Sequence, residues 1–285
     1  MKRVRWKLTT GVVVALILTS VGAAGGSQSE ASTSVRRTHY SLQPMSIQFN
    51  TKGGGGNAFI YYNANVADTS SNNVWTRLNA RGAHVATVSL NELCFTQYQR
   101  ILWMTAVAGY PYGEAFFAQA TTSVAKPLRS ECGASYGTAA LVNGGRVGNP
   151  AIGPYVAQSG SEARGEACVR NYFYWSCSTH LHPGNTATTG DQEAEFRGVA
   201  AFLASGGFQT FAAGDFNIPY PSMGLRYVAW SFGNGFVEAD HSLNRSTHAS
   251  GKIDYLFRKS PGSWSHGAYV TSVSWSDHDW LQGYL

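Results

Sequence analysis

Phe211-Ala212-Ala213-Gly214-Asp215-Phe216-Asn217-Ile218-Pro219 is the stretch on which the reading of this chain turns. An apolar run ends in Gly214. Two polar side chains follow at Asp215 and Asn217, and Pro219 stops the strand. Residues two apart on a strand point the same way, so a strand carried through Asn217 sets a carboxylate beside a carboxamide. A carboxylate can take a proton from water or bind a hard cation. A carboxamide can donate to a developing oxyanion without carrying charge. Taken alone, the same residues describe an Asx-type turn after a buried strand equally well. The rest of the chain breaks the tie.

Just upstream, Asp191 to Ser205 carries Phe196, Val199, Ala200 and Leu203 at helical spacing, and Gly206-Gly207 ends that helix. A second helix is expected over Val74 to Ala83. Short β-rich runs fill most of the remainder: Ser46 to Asn50, His84 to Leu90, Thr138 to Asn143, Glu166 to Arg170, Tyr172 to His180 and Gln209 to Ala213. Several of these runs end in an ionisable or amide residue. Gln48-Phe49 leads to Asn50, and Val85 to Leu90 leads to Asn91-Glu92. Ser178-Thr179 ends at His180, Lys252-Ile253 leads to Asp254, and Trp275-Ser276 leads to Asp277-His278. One polar strand end is more often a structural hydrogen bond than a catalytic group. Six of them, with Asp215 and Asn217, fit a site collected along one rim of a sheet.

In this order the motifs resemble the endonuclease/exonuclease/phosphatase superfamily, also called deoxyribonuclease I-like. The matching pieces are QFN ending at Asn50, LNE ending at Glu92, STHL around His180, GDFN from Gly214 to Asn217, KIDY around Asp254 and SDH ending at His278. Tyr136 to Leu141 resembles the family's central YG-x-A-x-L strand. Gln192 and Glu195 fall in the helix between STHL and GDFN. The likeness runs from about residue 44 to the C-terminus, and its order and spacing carry more weight than any one motif. It departs from the family at Asn91, where LQE is usual. It also departs at Ala134-Ser135-Tyr136-Gly137, which lacks the carboxylate that partners the first histidine in members resembling pancreatic deoxyribonuclease. Glu131 and Glu114 are the remaining carboxylates in that region.

The resemblance implies a four-layer α/β sandwich: two mixed, mainly antiparallel β-sheets packed face to face and flanked by helices. It implies hydrolysis of a phosphodiester with Mg²⁺, Mn²⁺ or Ca²⁺. Glu92, with Asn50 and Asp277, would supply hard oxygen ligands. Asp215 would orient or deprotonate the attacking water. Asn217 and His180 would donate to phosphoryl oxygens, and Asp254 would fix His278 as an imidazolium facing the phosphate. The foremost reading is an endonuclease acting on DNA or RNA. A phospholipase C or sphingomyelinase is the alternative enzyme; it needs an exposed aromatic hairpin, for which Trp230 to Phe236 is the candidate. A phosphoinositide phosphatase and a non-catalytic binding or toxin-like module on the same fold complete the alternatives.

Residues 1–24 read as a secretory signal: Lys2, Arg3, Arg5 and Lys7 precede an apolar core from Gly11 to Val21 and small residues at Gly22-Ala23-Ala24. Residues 25–43 read as a flexible leader and 44–285 as one domain. Taking those four from 21 basic residues leaves 17 against 16 acidic ones, a net charge of about +1, so the basic balance belongs mostly to targeting. No overall positive charge then speaks for nucleic acid. A secreted, extracellular monomer is expected. The four cysteines suit an oxidising compartment and lack zinc-site spacing. Three pairings exist, and the short turn between Cys168 and Cys177 favours that pair, leaving Cys94 with Cys132. His182, His241, His248 and His266 read as surface histidines, and Arg164 and Arg170 as partners in surface salt bridges.

Overall fold

Strand β2 (Val85–Cys94) is buried along nearly its whole length, as a strand covered on both faces must be. It pairs in parallel with β1 (Met45–Asn50) and antiparallel with β4 (Tyr136–Asn143), which pairs with β3 (Tyr112–Ala120). On the other side of β1 lie β12 (Trp280–Tyr284) and β11 (Gly267–Thr271). The second sheet runs β5 (Ala151–Pro154), β6 (Gly165–Arg170), β7 (Tyr174–His180), β8 (Gln209–Asp215), β10 (Asp254–Lys259) and β9 (Val237–Glu238). Each six-stranded sheet has one parallel pair, β1 with β2 and β7 with β8. These statements come from a computed structural model that describes residues 45–50, 85–109, 111–120, 136–184, 186–259, 267–272 and 278–284. The expected signal and leader, and the helix expected over 74–83, lie outside these residues.

The sheets pack face to face. Ala115, Phe117, Ala140 and Val142 of one meet Ala167 and Val169 of the other. At the far end Ala213 and Leu256 meet Ala268 and Leu281. Between these apolar ends runs a seam of small polar residues. The Ser178 hydroxyl lies 2.6 Å from that of Ser89 and 2.9 Å from that of Thr138, and donates to Asn91 Oδ1 at 3.2 Å. Asn91, the departure from the family pattern, thus closes a hydrogen-bonded bridge between the sheets, where a buried hydroxyl left alone would be costly.

Helices cover the outer faces. α1 (Phe95–Val107) lays Tyr98 and Ile101 on the first sheet against Val85, Leu93 and Trp280. No expected element covers this helix. Its buried positions, Tyr98, Ile101 and Thr105, do keep helical spacing, but the segment is rich in aromatic and β-branched residues. α2 (Ala187–Ala204) and α3 (Tyr220–Val228) cover the second sheet with Phe196, Ala200 and Met223. α2 starts four residues before the expected Asp191, because Thr186 caps it: its hydroxyl accepts from Thr189 N–H. A π-turn, Ala229–Gly233, follows α3. Trp230 stacks on Phe257 at 4.1 Å, and Phe236 meets it edge-on at 5.1 Å. Both are buried, so two of the three aromatics of the candidate lipid-contacting hairpin belong to the core; Phe232 is exposed.

Cys168 and Cys177 stand opposite each other on β6 and β7 and are bonded. Cys94 is also disulfide-bonded, and Cys132 lies outside the described residues. No helix among the described residues is long and apolar enough to cross a membrane.

Candidate active site

Register alone brings three of the candidate side chains into one row. His180 ends β7 and sits beside Asp215 at the end of β8, which faces Asp254 at the start of β10. The parallel β7–β8 pair puts both chain ends at the same rim, and the antiparallel β10 begins there. Gly214 permits the close approach. A Cβ at that position would stand 2.0 Å from the Thr179 carbonyl oxygen.

β8 stops at Asp215. Asn217 therefore does not extend the strand as expected. It takes a left-handed conformation, φ 53°, and its N–H donates to Asp215 Oδ1 at 2.9 Å. The Asx turn and the functional pair are the same structure. Asn217 Nδ2 donates to Leu181 O at 3.0 Å, which leaves the second amide hydrogen for a ligand in the cleft. Glu92 arrives from the other sheet. It sits at an irregularity of β2 between Leu90 and Leu93, with φ 54°. Glu92 and Asn217 are two of the three non-glycine residues with positive φ among the described residues. Strain of this kind is kept where the surroundings hold it, commonly at functional sites.

The imidazoles stand among the carboxylates. His278 Nδ1 lies 2.8 Å from Asp254 Oδ2. A carboxylate only accepts, so Nδ1 carries the proton and Nε2 faces Asp215 Oδ2 at 3.8 Å. His180 Nε2 lies 3.5 Å from Asp215 Oδ2 and 3.8 Å from Glu92 Oε1. Burial and the Asp254 charge push the Asp215 carboxyl well above the usual carboxylate range; Glu92 adds to this, and His278 and the Asn217 N–H oppose it. Asp215, Asp254 and His278 bring three ligand atoms within 4.8 Å of one another. The row opens into a cleft of about 500 Å³ lined by Glu92, His180, Asp215, Asn217 and His278, within the size range of small-ligand sites.

No family model matches the sequence, and no curated protein matches it. Solved structures do. An endonuclease/exonuclease/phosphatase protein from Beutenbergia cavernae superposes with TM-score 0.62 at 19% identity, covering 84% of this chain and 70% of its own. The catalytic domain of human Nocturnin with bound sulfate gives TM-score 0.62 at 14% identity, covering 86% and 93%. A mannosyl-6-phosphatase from Bacteroides thetaiotaomicron gives 0.53 at 12%, covering 85% and 98%. The chain has the endonuclease/exonuclease/phosphatase fold.

On this endonuclease/exonuclease/phosphatase scaffold Glu92, His180, Asp215, Asn217, Asp254 and His278 converge. Asn50 ends β1 with its backbone opposite Asn91, at the same rim; its side chain, and all of Asp277, lie outside the described residues. Glu114 pairs instead with Arg146, at 3.6 Å, and so is not the substitute partner of His180. Glu131 lies outside the described residues.

Four residues expected at the surface have other surroundings. His248 lies beside His278, ring centres 4.8 Å apart and planes tilted by 39°, and both His248 and His182 line the cleft. Arg164 is buried in the same wall, paired with Glu162 at 2.9 Å. Arg170 stacks on Phe208 at 4.8 Å. Apart from Arg170, which ends β6, these residues lack strand-end positions, and none has motif spacing, so the sequence held no signal for them beyond the closeness of His182 to His180. Gln192 and Glu195 do have a shared task. Gln192 accepts from His182 N–H at 2.7 Å and donates to Ala157 O at 2.7 Å. Glu195 accepts from the N–H groups of Val156 and Ala157 at 2.7 and 3.1 Å.

Proposed function

We propose that this chain is an exported, divalent-metal-dependent phosphodiesterase, foremost an endonuclease acting on DNA or RNA. The observation that carries the reading is the row His180–Asp215–Asp254 across three adjacent strands, with His278 bonded to Asp254 and Glu92 reaching the same cleft. The similarity of fold to phosphoester-acting proteins supports the chemistry in general. The disulfides support export.

The residues suit a hard cation. Glu92, Asp215 and Asp254 converge, and after burial their mutual repulsion raises the Asp215 carboxyl above the usual carboxylate range. A bound cation offsets that repulsion. Glu92 would hold it, with Asn50 and Asp277 as the further ligands. When bound, Mg²⁺ or Mn²⁺ neutralises phosphate charge and stabilises the departing oxygen.

The chain's own groups do the rest. His180 and the second amide hydrogen of Asn217 donate to phosphoryl oxygens. Asp215 orients the attacking water and, once the cation offsets the neighbouring carboxylate charges and leaves it ionised, takes its proton. Asp254 accepts from His278 Nδ1–H and favours the imidazolium, which opposes charge growing on the phosphate. With Trp230 and Phe236 buried, segment 230–236 is a poor lipid-contacting hairpin, which favours nucleic acid over lipid, and the convergence of six candidate groups speaks against a non-catalytic module.

The test is a panel assay of the purified protein on plasmid DNA, RNA, sphingomyelin and phosphoinositides. Hydrolysis of nucleic acid is expected, lost on chelation and restored by Mg²⁺ or Mn²⁺. Full activity after exhaustive chelation would overturn the metal site. Turnover of lipid alone would overturn the substrate.

A further inference from the structure

One wall of the cleft is the loop from Tyr155 to Arg164, between β5 and β6. It has no regular structure, yet it is fixed. Gln158 closes it from within: its amide donates to Tyr155 O at 2.8 Å and Arg164 O at 2.6 Å, and accepts from Arg164 N–H at 2.8 Å. Glu195 and Gln192 hold it from α2. Tyr155 hydroxyl and Thr179 Oγ1 lie 2.6 Å apart, tying the loop's start to β7.

Inside this frame sit three polar side chains whose buried atoms have no protein partner. Arg164 is 5% exposed and lines the cleft. Its Nη2 donates to Glu162, while Nε and Nη1 have no acceptor. Ser159 Oγ and His182 Nδ1 are also without partners, and both residues line the same cleft. Gly160, at φ 77°, lies between Ser159 and Ser161; a Cβ there would stand 3.8 Å from His182 Nε2. A buried guanidinium with donors unmade carries its full desolvation penalty. Such an arrangement is held in a fold at a cost unless an outside acceptor fills it. A guanidinium is suited to an oxyanion, and a hydroxyl and an imidazole line the same cleft. None of the three is needed at the scissile phosphate, whose contacts are already assigned.

We propose that Arg164, with Ser159 and His182, forms a second anion subsite that takes a phosphate of the substrate other than the one being cleaved. The inference rests on the phosphodiesterase reading of the Asp215–Asp254–His278 row and deepens it. The preferred substrate carries more than one phosphate along its length, as a nucleotide strand does, and a lone diester is poor. The second phosphate could be a terminal monoester or the next diester of the strand.

Calorimetric binding in chelator, where the reading predicts no turnover, tests this with three probes: a thymidine dinucleotide, its 5′-phosphorylated form and a thymidine trinucleotide. The wild type should bind one or both of the two-phosphate probes roughly tenfold tighter than the dinucleotide, the scale of one charge-assisted hydrogen bond. The probe that gains identifies the second phosphate as terminal or internal. Arg164→Gln should erase the difference. Glu162→Gln breaks the same ion pair but keeps the guanidinium, and should retain it; a purely structural role for Arg164 would make the two variants alike. Circular dichroism checks folding. If Arg164→Gln does not fold, Arg164→Lys should show a reduced preference. Equal binding of all three probes by the wild type, or a preference unchanged in the Arg164 variants, would overturn the subsite. No hydrolysis of any probe with Mg²⁺, with the binding preference intact, would instead overturn the phosphodiesterase reading alone.

Discussion

Replacing Asp254 by Asn keeps the shape of the rim and removes one charge. The backbone there is held independently, because Thr247 Oγ1 accepts from the N–H groups of Ile253 and Asp254 at 3.3 and 3.1 Å. The carbonyl oxygen of the substituted amide can still accept from His278 Nδ1, so the ring stays in place. What is lost is the stabilisation of the imidazolium by a buried carboxylate at 2.8 Å. Hydrogen bonds to charged groups contribute about 1.5–3 kcal/mol. At about 1.4 kcal/mol per factor of ten, Asp254→Asn should lower kcat/KM roughly 10–150-fold. His278→Ala removes the cation itself and should cost about 10²–10⁴-fold. The double variant should lie within about threefold of His278→Ala, since the carboxylate acts through the ring and has nothing left to act on. The assay is kcat/KM for all four proteins, with Mg²⁺, on the best phosphodiester found. Losses that multiply in the double variant would show two independent groups, and the pairing would have to be given up.

Two further predictions concern stability. Replacing Cys168 and Cys177 together by Ser reopens a short loop and should cost about 2–3 kcal/mol on the chain-entropy scale, read from denaturant midpoints; an unchanged midpoint would show that the β6–β7 pairing alone fixes this hairpin. Burial, helped by the Glu195 charge, pushes the Glu166 carboxyl up from 4.5 to about 7. The folded chain keeps this proton where the unfolded chain has lost it, so stability contributed below about pH 4.5 falls as pH rises toward 7. Glu166→Gln should flatten that part of the thermal midpoint's pH dependence, and an unaltered slope between pH 5 and 8 would refute the assignment.

The order of the polar strand ends is written in local patterns along the chain. An apolar strand that delivers a polar residue at its end is a local pattern, and His180 and Asp215 were legible for that reason; Asp254 instead opens its strand. The fold class followed from the order of those motifs along the chain. The helix over Phe95–Val107 was hidden because packing of Tyr98 and Ile101 on the sheet overrides weak local propensity. The strand expected to run through Asn217 ends two residues earlier, because a side-chain hydrogen bond to Asp215 offers the backbone a turn instead. The partners of these residues were set by packing between elements. Glu92 and His180 belong to different sheets, and their meeting depends on the face-to-face stack and on a positive φ at Glu92 that no pattern announces. The wall of Arg164, Ser159 and His182 is the extreme case. Those residues lie on a loop and past a strand end, and they became a site only when α2 folded over and fixed the backbone that carries them. Periodicity records which way a side chain points along its own element. What stands across from it is set by long-range packing, which one sequence does not encode in any local signal.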